Sequence, residues 1–207
     1  MKQILSTLTL LLLAGSLSAQ TLAQTTLSKP VVRPTATWSL DNSHSNVQFS
    51  VTHLVISEVN GSFKLFDGTM ESTAADFTDA KIKFTIDINS INTDNEMRDG
   101  HLKGDDFFNA ASFPKATFVS KSFVKTGDKT YKLTGDLTIR DVTKTVVFDV
   151  TYGGTVKDPY GNTKAGFKAS TTINRFDYNL KWNALTEAGA VVGPDVRINC
   201  NIQMKQN

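Results

Sequence analysis

Apolar residues recur at every second position through most of the chain after residue 38. In the stretch KIKFTIDINS, three isoleucines and a phenylalanine alternate with lysines, a threonine and an aspartate. Such a period of two is typical of β-strands with one dry and one hydrated face, because successive side chains point to opposite sides. The pattern predicts eight strands, at 44–53, 59–69, 80–90, 115–124, 130–140, 144–153, 164–174 and 195–205.

Short turn sequences separate several of these strands. TGDK, GG and DPYGN supply residues that adopt a positive or a preset φ, as hairpins require. Eight amphipathic antiparallel strands close most economically into a barrel, because closure removes exposed edges and encloses the apolar face. A β-sandwich is the alternative, and the pattern alone also leaves open a barrel whose apolar face points outward into a membrane.

One long stretch, NEMRDGHLKGDDFFNAASFPKATF, interrupts the alternation between the third and fourth predicted strands. Thr93 and Glu96 have the spacing of a capping box, which predicts a short helix with Thr93 as its N-cap and Gly104 near its end. Phe107 and Phe108 give the rest of the connection an apolar side. We therefore predict a short helical connection that covers one end of the barrel as a flap or plug.

Composition suits one globular domain and argues against a nucleic-acid partner. The chain has 207 residues, of which 40% are hydrophobic and 20% are charged. Lys and Arg total 22 against 20 Asp and Glu. No run of basic residues interrupts this mixture, so the electrostatic footprint of a nucleic-acid-binding protein is missing from the sequence.

The N-terminal residues have the pattern of a secretory signal. Lys2 precedes the apolar run ILSTLTLLLLAG, which is too short to span a bilayer comfortably, and small and polar residues follow it. We expect a cleaved signal peptide at 1–23, a flexible Thr- and Pro-rich leader at 24–37 and a folded domain at 38–207. The expected product is periplasmic or secreted and does not span a membrane.

The histidines and the single cysteine do not predict a metal site. His44 and His53 are nine residues apart, which places them on opposite faces of a strand and roughly 30 Å apart. A pair of His53 and His101 stays as a less favoured alternative to hydrogen-bonded structural histidines. Cys200 can form no internal disulfide, and its position on an apolar strand face is typical of a core residue. No metal or cofactor is therefore predicted.

Catalytic arrangements are also disfavoured. His44 and Ser45 are neighbours on a predicted strand, so they point to opposite sides and form no nucleophile and base pair. Asp105 and Asp106 precede two phenylalanines, and such acids cap a helical turn more often than they act as paired catalytic carboxylates. No catalytic residue is predicted.

Four sequence blocks resemble, in the right order, the signature blocks of the YceI family. They are SHSNVQFSVTH, MRDGHLKGDDFFNAASFPKATF, LTGDLTIRDVTKTVVFDV and NRFDYNL, at 43–53, 97–118, 133–150 and 174–180. The resemblance implies a lipocalin-like barrel, exported in many members, that holds a long amphiphile such as a polyisoprenoid in its interior. It also implies a protein that is not an enzyme.

Three positions depart from the family pattern. Asn179 and Asp141 stand where relatives commonly carry glycine, and Tyr178 stands where they carry phenylalanine. Asn tolerates a positive φ better than most residues, so we expect the turn at Asn179 to survive.

The sequence therefore predicts an all-β protein, an eight-stranded antiparallel barrel, that binds a long-chain isoprenoid or fatty amphiphile for transport, storage or an envelope stress response. An enzyme that modifies an envelope lipid and a filled-barrel stress or interaction protein are the alternatives, and pairing into a homodimer is left open. Arg98, Arg175 and Lys181 are candidate rim residues for a polar head group. The candidate ligand wall consists of Val47, Phe49, Val51, His53, Phe63, Phe84, Ile86, Phe118, Phe148, Ile198 and Cys200.

Overall fold

The computed structural model describes residues 34–187 and 189–207. The predicted signal peptide and most of the predicted leader lie outside the described residues. The first strand is Ala36–Leu40, so the folded domain begins slightly before residue 38, where the sequence analysis placed it. No helix within the described ranges is long and apolar enough to cross a membrane.

Eleven strands form one antiparallel sheet, and two further short strands form a separate hairpin. The hairpin consists of β11 (Leu185–Thr186) and β12 (Gly189–Ala190). The sheet consists of β1 (Ala36–Leu40), β2 (Asn46–His53), β3 (Ser57–Phe63), β4 (Phe66–Ser72), β5 (Lys81–Asp87), β6 (Ile91–Asn92), β7 (Lys115–Lys125), β8 (Thr130–Ile139), β9 (Val142–Lys157), β10 (Thr163–Asn174) and β13 (Val192–Gln206).

Six of the shorter strands join in pairs into three long, interrupted strands. The first long strand consists of β1 and β2, which both pair antiparallel with β13. The second consists of β4, which pairs with β1, and β3, which pairs with β2. The third consists of β5, which pairs with β4, and β6, which pairs with β3. With β7, β8, β9, β10 and β13, the sheet therefore has eight long strands, and the pairing of β1 with β13 closes the ring. The predicted eight-stranded antiparallel barrel is confirmed, and the sandwich alternative is wrong.

Alternation along the strands builds the interior. In β8, Tyr131, Leu133, Leu137 and Ile139 are buried, while the residues between them face outward or are partly exposed. Gly135 breaks the apolar series because the ring of Phe118 occupies its place: a Cβ at Gly135 would lie 2.3 Å from the Phe118 Cζ. The apolar faces of the strands thus point into the barrel.

An aromatic cluster closes the end of the barrel at which β1 meets β13. Phe77, in the loop between β4 and β5, packs edge-on against Trp38, Tyr152 and Phe167, with ring centroids 5.5, 5.6 and 5.4 Å away. Asp79 fixes this loop by accepting hydrogen bonds from Ser72 Oγ at 2.5 Å and from the Thr73 amide at 2.9 Å. These bonds hold the pKa of Asp79 below its usual range.

The helix α1 (Glu96–Lys103) lies between β6 and β7. Its N-cap is Asn95, whose side chain accepts a hydrogen bond from the Arg98 amide at 2.9 Å. The prediction that Thr93 caps the helix is wrong, because the Thr93 hydroxyl donates instead to the buried carboxylate of Asp99 at 2.6 Å. Glu96 is the first helical residue and is exposed, so it does not complete a capping box.

Candidate ligand-binding cavity

The barrel encloses two apolar cavities, one above the other. The upper cavity, of about 450 Å³, lies on the side of α1, and the lower cavity, of about 140 Å³, reaches toward the aromatic end. Val47, Ile86, Leu137 and Ile198 border both cavities. The two cavities therefore adjoin at these four side chains.

Each of the predicted wall residues lines at least one of these cavities. Strand alternation places them there, because they occupy the inward positions of β2, β3, β5, β7, β9 and β13. Val47, Phe49, Val51, His53, Phe63, Ile86 and Ile198 line the upper cavity, and Phe84, Phe118, Phe148 and Cys200 line the lower one.

The interior is not packed throughout like an ordinary core. Phe63, Phe84, Ile86, Ile198 and Ile202 pack against the buried core but remain only partly buried. These inward-facing side chains keep accessible surface because that surface faces a cavity. In a close-packed interior, side chains at such positions would interdigitate and leave few voids larger than a water molecule.

The pKa of Cys200 also indicates an apolar environment. Its accessible surface faces the lower cavity rather than bulk water. Burial raises the pKa of the Cys200 thiol to about 12, since the thiolate would be poorly solvated there. The lower cavity is thus suited to hydrocarbon and unsuited to charge.

An aromatic group forms part of the wall of the upper cavity at its open end. His101 on α1 packs edge-on against Phe107 and Trp182, each with a centroid distance of 5.1 Å, and the last two rings lie 5.5 Å apart. The His101 Nε2 lies 3.5 Å from a carboxylate oxygen of Asp106. Trp182 was not predicted to be a site residue. It stands in a stretch with no strand periodicity, and its one sequence signal was that it is a tryptophan.

The two phenylalanines of the predicted flap both line the upper cavity. Phe107 is 7% exposed, and its carbonyl accepts a hydrogen bond from Arg140 at 2.7 Å. Phe108 is partly buried and packs edge-on against Phe63 at 6.0 Å. Phe107 anchors the connection, while Phe108 forms cavity wall.

The three predicted rim cations have different surroundings. Arg98 lines the upper cavity, with its guanidinium donating to the Thr93 hydroxyl and carbonyl oxygens, both at 2.7 Å. Lys181 is exposed and lies in a shallow polar depression beside Asp105 and Asp106, outside the cavity. This depression shares Trp182 with the upper cavity, so the predicted rim role of Lys181 stays a prediction.

Arg175 lines the upper cavity, but its side chain is buried and bonded to backbone carbonyls, so its predicted head-group role stays a prediction. It is 2% exposed and begins the 3-10 turn Arg175–Tyr178. Its guanidinium donates to four backbone carbonyls, which fix the segment after β10 to the start of β13, and burial lowers its pKa. The acceptors are those of Gly193 at 2.8 Å, Leu180 at 2.6 Å, Trp182 at 2.8 Å and Val192 at 3.0 Å.

The residues that depart from the family pattern lie at or beside this turn: Tyr178 and Asn179 end it, and Asp141 contacts Asn179. Asn179 has φ of 60°, so the left-handed conformation expected of this asparagine is confirmed. Its side-chain amide donates to the Asp141 carboxylate at 3.1 Å, which holds the pKa of Asp141 below its usual range. Tyr178 is 1% exposed, and burial raises its pKa to about 12.

The prediction that His44 and His53 lie on opposite faces of one strand is wrong, because His44 belongs to the 3-10 turn Asn42–His44 that precedes β2. His44 is exposed and contacts the Asp41 carboxylate at 3.1 Å, whereas His53 lines the upper cavity. Among residues 34–187 and 189–207, no group of three His, Cys, Asp or Glu side chains is arranged to hold a metal ion.

Known proteins share both this sequence pattern and this architecture. The YceI-like domain pattern matches residues 38–204. The UPF0312 protein SAS2572 of Staphylococcus aureus (strain MSSA476) is 40% identical over 168 residues, which cover 80% of this chain and 95% of that protein.

Two solved structures are similar in fold. The Campylobacter jejuni YceI protein has 34% sequence identity and a TM-score of 0.65, with 81% of this chain and 96% of that chain covered. A polyisoprenoid binding domain from Saccharophagus degradans has 18% identity and a TM-score of 0.61, with 82% and 98% covered. At 18% identity, the similarity to the second structure is evidence for the fold alone.

Proposed function

This chain belongs to the YceI-like domain family, and from that premise we propose that it binds a long-chain amphiphilic lipid inside the barrel without changing it chemically. A polyisoprenoid or a similar chain is the proposed ligand. The similar barrel from Saccharophagus degradans is described as a polyisoprenoid binding domain, which supports this class of ligand. Transport, storage or an envelope stress response would each use such binding.

The hollow interior is the observation that carries the proposal. Two cavities of about 450 Å³ and 140 Å³ adjoin at shared side chains, and aliphatic and aromatic residues line most of both. The aromatic cluster closes the far end, so a ligand lies with one end near Met70 and Phe123 and the other near α1.

Polarity assigns an orientation to the ligand. His53, Arg98 and His101 are among the polar residues that line the upper cavity, whereas apolar residues and the uncharged thiol of Cys200 make up most of the wall of the lower one. Because burying an unpaired polar group is costly, the hydrocarbon tail occupies the lower cavity and the head group stays near α1.

The energetics favour a long chain over a short one. Burial contributes about 0.8 kcal/mol for each methylene. Association costs about 4–15 kcal/mol in lost translational and rotational freedom. About 5 to 19 buried methylenes are therefore needed before binding becomes favourable.

Native mass spectrometry of the protein purified from its own envelope tests the proposal. We expect a co-purifying long-chain lipid, and we expect delipidated protein to bind geranylgeraniol much more tightly than the short-chain control geraniol. A protein that carries no lipid and binds neither alcohol would show that the cavities do not serve this function.

We also propose that the protein is exported after removal of its first residues. The basic residue Lys2, the short apolar run and the small residues that follow support this. N-terminal sequencing should return a start between Ala19 and Thr25, and a mature protein that begins at Met1 would contradict it.

A further inference from the structure

Two turns beside the upper cavity expose large apolar side chains. In the turn between β2 and β3, Val55 is 64% exposed and Ile56 is 85% exposed. In the hairpin of β11 and β12, Leu185 is 86% exposed. We refer to Val55, Ile56 and Leu185 as the mouth patch.

The two turns lie against each other. The Leu54 amide donates to the Val191 carbonyl at 2.9 Å, which joins the first turn to the residue that follows the hairpin. A Cβ at Gly189 would lie 3.7 Å from the Val55 Cγ2, so the Val55 side chain packs over the hairpin backbone. The exposed apolar side chains of the mouth patch thus belong to one surface.

Burial does not explain why the mouth patch is apolar, and at Val55 the backbone conformation does not favour a β-branched residue either. Leu54 and Val55 have φ of 51° and 66°. The left-handed region is unfavourable for a β-branched residue, and glycine or asparagine would adopt it with less strain. Strain of this kind is retained where the surrounding structure or a function requires it.

The mouth patch is continuous with the wall of the upper cavity. His53 precedes the first turn and Val59 follows it, and both line the cavity. Val191 and Val192, which follow the hairpin, line it as well. The patch therefore forms part of the lip through which a ligand reaches the interior.

The charge around the patch is low. Residues 54–57 carry no charged side chain, and Glu187 is the one charged residue in 184–194. Glu58 is paired with Arg197 at 3.4 Å. A surface without a basic cluster gains little from an anionic membrane, so it suits the apolar boundary of a zwitterionic one.

The size of the patch argues for a bilayer rather than a second copy of the chain. A standard protein interface buries about 800 Å² on each partner, which three side chains cannot supply. Insertion at a membrane interface needs only that apolar side chains enter the boundary between head groups and acyl chains.

We propose that the mouth patch docks this protein on the surface of a zwitterionic lipid bilayer, with the upper cavity opening onto that surface. The purpose of docking rests on the proposed lipid ligand, since the bilayer is where a long-chain amphiphile resides. The docking itself is a separate property and can be measured on protein without ligand.

Flotation of delipidated protein with phosphatidylcholine vesicles, at low and at high NaCl, tests the proposal. We expect binding that salt does not weaken. The double variant Ile56→Gln with Leu185→Gln should bind about tenfold more weakly or worse, since both changes remove apolar surface that enters the membrane. Val124→Gln with Val156→Gln is the matched control, because those valines are 54% and 65% exposed elsewhere on the barrel.

Several outcomes would overturn docking through the patch. They are a parent that does not float, mouth and control variants that float equally, binding that requires phosphatidylglycerol and is lost in high salt, and a patch that mediates self-association in sedimentation without vesicle binding. Native mass spectrometry of the same variants separates the two proposals: vesicle binding by a protein that never carries lipid would refute the proposed function and leave docking intact.

Discussion

Phe49 and Gly61 face each other across β2 and β3, and the phenylalanine ring fills the space that a side chain at Gly61 would need. A Cβ at Gly61 would lie 2.3 Å from the Phe49 Cζ and 2.9 Å from the Thr93 Cγ2. Since Phe49 also lines the upper cavity, this contact sets the position of one wall of the candidate site.

Gly61→Ala should therefore narrow the upper cavity. The added methyl pushes the Phe49 ring into open space, so we expect geranylgeraniol binding to weaken about tenfold, equivalent to about 1.4 kcal/mol, with a smaller loss of stability. Titration and chemical unfolding of delipidated protein measure the two effects. Gly166→Ala is the control, because a Cβ at Gly166 meets no atom within 4 Å, and unchanged binding in Gly61→Ala would contradict the role given to Phe49.

Val51→Trp distinguishes a ligand cavity from a filled core. Val51 lines the upper cavity, so the indole should occupy ligand space and leave the stability of delipidated protein nearly unchanged. Extractable long-chain lipid should fall sharply. A close-packed interior would instead lose about 1–3 kcal/mol through overpacking.

Val147→Trp is the matched control, since Val147 on β9 is 47% exposed and points outward. It should keep both its lipid and its stability. Both parent and variants must be delipidated before unfolding, because a bound ligand raises apparent stability.

Arg175→Lys should destabilise the barrel rather than alter head-group selectivity. Lysine cannot reach four carbonyls from one planar group, so acceptors in the turn and at the start of β13 lose their donors. We expect a loss of about 3 kcal/mol or more in the free energy of unfolding. A variant with normal stability but weaker binding of an anionic lipid would assign Arg175 to the ligand instead.

Asp41→Asn should change how stability depends on pH. The Lys164 ammonium, 2.5 Å away, and the Ser43 and His44 side chains hold the pKa of Asp41 well below its usual range. The unfolded chain, with a pKa near 3.9, therefore takes up the proton first as pH falls. The stabilising contribution is fully present above about pH 5 and is lost progressively below it.

At neutral pH the Asp41→Asn variant should lose about 2–3 kcal/mol, because the pair is largely buried and the variant leaves Lys164 without its carboxylate. The difference between variant and parent in urea unfolding should shrink progressively as pH falls below about 4, and it should vanish only when the pH falls below the depressed pKa of folded Asp41. Asp149→Asn serves as the control, since Asp149 is 70% exposed and its pair with Lys132 is on the surface. A constant difference between variant and parent at every pH would refute the linkage.

The period-two pattern predicted most of the long strands and which side chains share a face, while closure into a barrel had to be argued from the need to remove exposed edges. Phe84, Ile86 and Phe118 face the interior because alternation is set by backbone geometry, which a sequence displays directly. The interruption of the second long strand at Lys64 and Leu65 was not predicted. The inward positions change there from odd numbers in β3 to even numbers in β4, and a single strand at 59–69 does not allow for this change.

Other features depended on contacts between distant residues. Thr93 and Glu96 have the spacing of a capping box. In the folded chain, however, the Thr93 amide and hydroxyl both donate to the buried carboxylate of Asp99, so Thr93 does not cap the helix. Arg175 was predicted from the sequence as a rim cation. The four carbonyls that accept its hydrogen bonds come together only in the folded chain. Cavity volume likewise follows from how side chains fit together, which their order along the chain does not specify.

The aromatic cluster of Phe77, Trp38, Tyr152 and Phe167 makes the barrel a blind-ended tube. Any chain that enters with its tail first must leave with its head first, through the same opening. If the protein transports its ligand between two sites, as proposed, a single opening means that collection and delivery are two successive encounters. The rate of lipid delivery would then be proportional to the number of carrier molecules, and not to the number of fixed contacts between two membranes.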